Sequence, residues 1–193
     1  MYRFLLFLLF LIVGTGVYLL LRMPQATLTD KWVTYDGGTW SIEHPQSLTP
    51  TAKSVSKSSS LNLVSFGGFT DASTVTIHIG AMTKDPIGEL ALQRDPNRSD
   101  IIGTVLQLEK ESLRGFPGLK LVSAERNSIN NYDAVEVIEV DSSNPTDSEY
   151  SAQTTFIHED LLAFVSLFTS HSPQPADQTE QIYNSMLKSF RFK

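Results

Sequence analysis

Four runs of strand-forming residues, about 119 to 126, 132 to 141, 149 to 157 and 161 to 169, are separated only by short polar turns at Asn130-Asn131, Asp141 to Asp147 and His158-Glu159-Asp160. A parallel neighbour would need a crossover of a dozen or more residues, so the four strands form an antiparallel meander. In the third run Tyr150, Ala152, Thr154 and Phe156 alternate with Ser151, Gln153 and Thr155, which gives one inward and one outward face. The fourth, LLAFVSLF, is apolar on both faces, the pattern of a central strand covered on both sides.

The N-terminal half adds more strands. Lys31 to Tyr35 and Thr39 to Glu43 flank Asp36-Gly37-Gly38, a hairpin turn signature, and Pro45 stops the second run. Trp40, Ile42 and His44 share one face by period two. Leu61 to Phe66 reads as a strand, and Val75, Ile77, Ile79 and Ala81 alternate with polar residues along another. Between them Thr49 to Ser60 (TPTAKSVSKSSS) is polar, Ser-rich and aperiodic, which predicts an exposed loop.

Three segments carry helical period. Asp85-Pro86 is an N-cap with Pro at the first helical position, followed by Ile87, Leu90, Ala91 and Arg94. Asp100 caps a second helix with the stripe Ile101, Ile102, Val105, Leu106 and Leu108, closed by Arg114, Gly115 and Pro117. Ser172-Pro173-Gln174-Pro175 opens a third, whose stripe Thr179, Ile182, Tyr183, Met186, Leu187 and Phe190 is laid on the sheet. The expected fold is therefore α+β: an antiparallel sheet of about six or more strands packed by helices.

Phe4 to Leu21 carries no charge and is bracketed by Arg3 and Arg22. As a helix it would be roughly 27 Å long, near the thickness of a bilayer's hydrocarbon core. A transmembrane anchor over residues 1–23 is favoured over a cleaved secretory peptide, because the apolar run continues past the small residues Gly14-Thr15-Gly16 to Leu21. Both readings put the rest of the chain outside the cytosol, periplasmic or extracellular, with residues 24–31 as a short tether and 32–193 as one globular domain. With no cysteine, that domain gains nothing from disulfides and rests on an ordinary core. Setting aside Arg3 and Arg22 takes the net charge from −6 to −8, which argues against nucleic acid as a partner.

The chemistry-bearing residues are scattered. His44, His78, His158 and His171 have no partner at metal-ligand spacing and read as strand-end, solvated-strand and turn residues. Two Ser-x-x-Lys tetrads, Ser54 to Lys57 and Ser185 to Lys188, fall in the Ser-rich segment and on a packed helix, without a held base or oxyanion hole. Hard oxygen ligands cluster at Asp141, Asn144, Asp147 and Glu149, a calcium-type metal candidate that lacks the EF-hand order and its Gly. A solvated acidic turn is the favoured reading there. No cofactor is expected beyond a divalent cation at that turn.

The two ends of this region carry a resemblance. Trp32-Val33-Thr34-Tyr35, the turn, Trp40-Ser41-Ile42-Glu43-His44-Pro45, and the closing Tyr183 to Phe192 (YNSMLKSFRF) resemble the ends of the PsbP-like domain, the superfamily of the photosystem II extrinsic protein and bacterial DcrB-type proteins. Asn131-Tyr132-Asp133-Ala134 resembles the turn before its central strands. The resemblance spans residues 32 to 192 and implies a sheet packed by helices in an α/β/α sandwich and non-enzymatic members. It carries over no metal residues. Together these readings lead to a membrane-anchored extracytoplasmic binding or assembly module, held at the membrane by residues 4–21, with a protein partner in the envelope. The alternative is an extracytoplasmic metal-dependent or hydrolytic enzyme with a cross-strand site.

Overall fold

The computed structural model describes residues 26–55, 61–114, 118–141, 148–170 and 172–193, with backbone alone at 53–55 and 61–62. Among these residues no helix is long and apolar enough to cross a membrane. The apolar run Phe4–Leu21 lies outside them. Of the expected tether, the described part packs on the domain: Ala26 is buried and donates its N–H to Gly68 O. Asp30 closes the next turn by accepting from the Thr27 hydroxyl and N–H and from Ser47.

The chain opens with β1 (Trp32–Asp36) and β2 (Trp40–Pro45), the antiparallel hairpin expected from the sequence. Its two turn glycines do different work. Gly38 has a φ of +88°, a region that L side chains rarely adopt, whereas at Gly37 a Cβ would sit 2.1 Å from Trp40 Cε2. Trp40, Ile42 and His44 all point inward and are buried.

Next come β3 (Thr49–Val55), β4 (Leu61–Gly67) and β5 (Thr74–Ala81). β3 corrects the loop expected over Thr49 to Ser60. Residues 49 to 55 pair antiparallel with β4, from Thr49 opposite Gly67 to Val55 opposite Leu61, and residues 56–60 lie outside the described ones. An edge strand is held by backbone pairing along one side and needs no apolar alternation; Pro50, which lacks an N–H, suits such an edge.

A single 3-10 turn (Met82–Lys84) leads into α1 (Pro86–Arg94) and α2 (Ile101–Leu113). The caps follow the sequence: Asp85 accepts from Ile87 N and Gly88 N, and Asp100 from Gly103 N. Then β6 (Leu119–Ile129), β7 (Tyr132–Asp141), β8 (Glu149–His158) and β9 (Leu161–Thr169) form the meander. Asn130 and Asn131, with φ of +57° and +66°, make the tight β6–β7 turn that type I′ geometry requires. α3 (Asp177–Ser189) and β10 (Arg191–Phe192) end the chain.

The strands divide into two sheets. β3-β4-β5-β9-β8-β7-β6 is seven-stranded and antiparallel throughout, with β9 at its centre as its apolar pattern predicts, but the expected cover on both sides is incomplete, since its Phe168 is 46% exposed. β10 pairs with the free edge of β2, so the last residues complete a three-stranded sheet begun by the first strands.

α3 packs on one face of the large sheet through Thr179, Ile182, Tyr183, Met186 and Leu187, all buried, joined by Trp40, Phe66, Phe156 and Phe190 in the main core. Burying a side chain such as Ile182 or Leu187 contributes about 1.5–3 kcal/mol, so this stripe anchors the helix without a side-chain cap. The Tyr183 hydroxyl, fully buried, meets Val165 O at 2.9 Å and Ala152 O at 3.2 Å. α1 and α2 lie on the opposite face, where Ala91, Ile102, Val105 and Leu108 pack on Val135 and Val137. Helices thus cover both faces, the sandwich arrangement expected. Leu90, read as part of the α1 stripe, is exposed instead, because Gly88 and Ala91 make the close approach.

Candidate functional site

The face that carries α1 and α2 is only partly roofed. Period-two alternation sends Val75, Ile77 and Ile79 of β5, and Ala163, Val165 and Leu167 of β9, into the main core. Their neighbours Thr76, His78, Phe164, Ser166 and Phe168 therefore face the other way, and the register sets them in rungs: Thr76 opposite Ser166, His78 opposite Phe164. Beside the helices these residues floor an open groove of about 400 Å³. Phe168 is 46% exposed there, a large apolar ring near the end of the central strand.

The helical wall of the groove supplies Asp85, Ile87 and Glu109. Glu109 is 8% exposed, an uncommon position for a carboxylate. Its Oε1 accepts a hydrogen bond from Gln153 Nε2 at 3.1 Å, and Gln153 Oε1 in turn accepts from the Ser166 hydroxyl at 3.4 Å. Burial first, then the negative charges of Glu139 and Asp85, push the Glu109 carboxyl up to about 7, against an opposing hydrogen bond from Gln153. Glu139 on β7 is also shifted upward, by burial and then by Asp141. No Lys or Arg is among the described residues lining the groove.

Sequence reasoning did not single out Glu109, although a signal existed. Position 109 lies seven after Ile102 and four after Val105, on the same helical stripe, so a carboxylate there was bound to be turned toward the sheet. The convergence of β5, β8, β9 and α2 has no such local signature.

The described residues that the sequence singled out lie at several places in the fold. Asp141 and Glu149 sit opposite each other on the first rung of the β7–β8 pair, with Glu149 exposed, while Asn144 and Asp147 lie outside the described residues. No group of three or more His, Cys, Asp or Glu able to hold a metal occurs among the described residues. His44 is buried, not merely at a strand end; its Nδ1 lies 2.8 Å from Pro45 O, and burial lowers its pKa. His78 is a groove residue stacked on Phe164, with centroids 5.9 Å apart, where a solvated ring was expected. His158 stacks on Phe192 at 5.0 Å and meets Tyr132 edge-on, tying the end of β8 to β10. His171 lies outside the described residues. Of the second Ser-x-x-Lys pair, the Ser185 hydroxyl is given to Gln181 O on its own helix.

The antiparallel α+β architecture and its half-roofed groove define the class of domain. No protein-family model matches the chain, and no curated protein matches it. Solved structures similar to it include cyanobacterial PsbP from Synechocystis sp. PCC 6803, with a TM-score of 0.49 and 9% identity over 89% of this chain and 99% of that one. A protein of Bacteroides thetaiotaomicron VPI-5482 gives a TM-score of 0.49 and 11% identity over 86% of this chain, which spans about half (49%) of that one. LpqN, involved in cell envelope biogenesis of Mycobacterium tuberculosis, gives 0.41 and 13% over 86% of this chain and 97% of that one. The solved structures similar to this chain thus include a member of the family that its two ends resemble.

Proposed function

We propose that the chain is a membrane-anchored, extracytoplasmic, non-catalytic binding or assembly module, and that it binds through the groove beside α2. The observation that carries this reading is the open groove itself, with an apolar, partly exposed aromatic floor and a few fixed polar groups at its wall. Ser166 gives its proton to the Gln153 amide oxygen and not to a base, so it is not poised as a nucleophile. The uncharged run from Phe4 to Leu21 between two arginines supports the anchor.

Site-specific photo-crosslinking in intact membranes tests the binding surface. A photoreactive phenylalanine at 168 is expected to give a discrete adduct, while the same group at Val122, exposed on β6, gives none. No adduct at 168 would refute the reading. Because the chain has no cysteine, Lys188→Cys provides a unique thiol for topology. It is expected to react with a membrane-impermeant maleimide in intact cells; protection until the membrane is opened would refute the exported placement.

A further inference from the structure

A buried carboxylate is normally paired with a cation or else neutral, because its charge loses the hydration that water would supply. Glu109 has as neighbours two more carboxylates, Asp85 and Glu139, and its one described hydrogen bond comes from a neutral amide. The groove it lines offers no lysine or arginine of its own among the described residues. Yet Glu109 is not loosely placed. Gln153 holds one oxygen, and Ser166 holds Gln153, so the carboxylate is fixed at the end of a polar relay.

What lies beside this charge is aromatic. Phe164, braced by its stacking on His78, and the exposed Phe168 stand on one face of β9 on either side of Ser166, the residue that Gln153 ties to Glu109. An aromatic floor beside a carboxyl that has no cationic partner among the described residues is complementary to an alkyl stem ending in a positive charge. The stem covers the rings and the head meets the acid, with cation–π attraction adding to the ion pair.

We propose that the groove takes a lysine or arginine side chain of a partner protein, its stem against the aromatic floor beside Ser166 and its charged head at Glu109. This rests on the groove being the binding surface proposed above. A partner's side chain, and not a free amine, fits the openness of the site: a groove that lies open to solvent admits a projecting side chain but encloses too little of a small molecule to retain it. Among the described residues, the groups around Glu109 are Asp85 ahead of α1, Glu139 on β7 and the neutral Gln153 on β8, with His78 on β5 lining the same groove. Binding strengthens as pH rises through about 7, where Glu109 takes up its charge.

The test uses the full chain in detergent micelles with 4-fluorophenylalanine at 168, titrated with blocked peptides Ac-Gly-Ala-X-Ala-Gly-NH2 and followed by fluorine NMR. With X as lysine, a saturable shift is expected that is at least tenfold weaker when X is acetyl-lysine, tenfold weaker in Glu109→Gln, and tighter at pH 8 than at pH 5.5. Equal response to lysine and acetyl-lysine overturns the charge recognition and leaves the groove as a binding surface. Charge recognition is overturned in the same way if no peptide shifts the signal while residue 168 still crosslinks in membranes. If n-butylammonium chloride saturates the signal as tightly as the peptide, the occupant is a free amine and the assignment to a protein side chain fails. Absence of both peptide shift and crosslink overturns this proposal together with the function it rests on.

Discussion

Replacing Glu109 by Gln isolates the energetic consequence of a buried, like-charged carboxyl. Glutamine keeps the shape and the acceptor oxygen for Gln153 Nε2 but never ionises. In the unfolded chain Glu109 loses its proton near 4.5, whereas in the fold it holds it to about 7. Between those values the native state binds more protons than the unfolded state, so stability falls as pH rises. At about 1.4 kcal/mol for each pH unit between the two, the full cost reaches about 3 kcal/mol by pH 8 and vanishes below about pH 4.5. Glu109→Gln should therefore match the parent near pH 4.5 and exceed it at pH 8. For a chain of this size that is a rise of roughly 6–12 °C in Tm. Thermal unfolding followed by the fluorescence of Trp32 and Trp40 measures it at both pH values. A downward slope left in the variant belongs to Glu139, which is shifted the same way. Equal differences at the two pH values, or a variant less stable at pH 8, would refute the reasoning.

Three further outcomes are expected. Tyr183→Phe removes a fully buried hydroxyl that meets Val165 O, Ala152 O and Thr154 Oγ1, and should cost about 1–3 kcal/mol in urea unfolding; no loss would mean that the strand carbonyls are satisfied without it. Gly37→Ala places a methyl within 2.3 Å of Trp40 Nε1 and 2.1 Å of Cε2, so the indole must move; a red-shifted emission and a loss on the order of 1–3 kcal/mol are expected, and an unchanged spectrum would contradict the packing. Asp71 is opposed by burial, yet hydrogen bonds from Ala176, Ser73 and Thr179 hold its carboxyl below the usual carboxylate range. Its contribution is present above the unfolded pKa and lost as pH falls through the folded one, so Asp71→Asn should flatten the acid limb of stability; an acid limb identical to the parent's would exclude that role.

Local pattern carried a large part of the architecture. Asp85, Asp100 and the Asn130-Asn131 turn were legible because caps and tight turns are satisfied by residues within three or four positions. Period two fixed which residues of β2, β5 and β8 are buried, and the brevity of the turns fixed antiparallel order. β3 escaped because an edge strand draws its order from its neighbour's backbone, which leaves no mark on its own side chains. His158 was legible as a strand end but not as a ring stacked on Phe192, since that contact spans residues 34 positions apart.

By itself, then, the sequence determined the elements, their punctuation and the inward faces, because each of these is decided within a turn or two of chain. Only the tertiary structure decided that β10 returns to β2, that α1 and α2 stop short of β5 and β9, and that Glu109 is left among acids beside an aromatic floor. Those outcomes depend on how far one layer extends over another. Layer overlap is set by packing among residues distant in sequence, which no local spacing encodes.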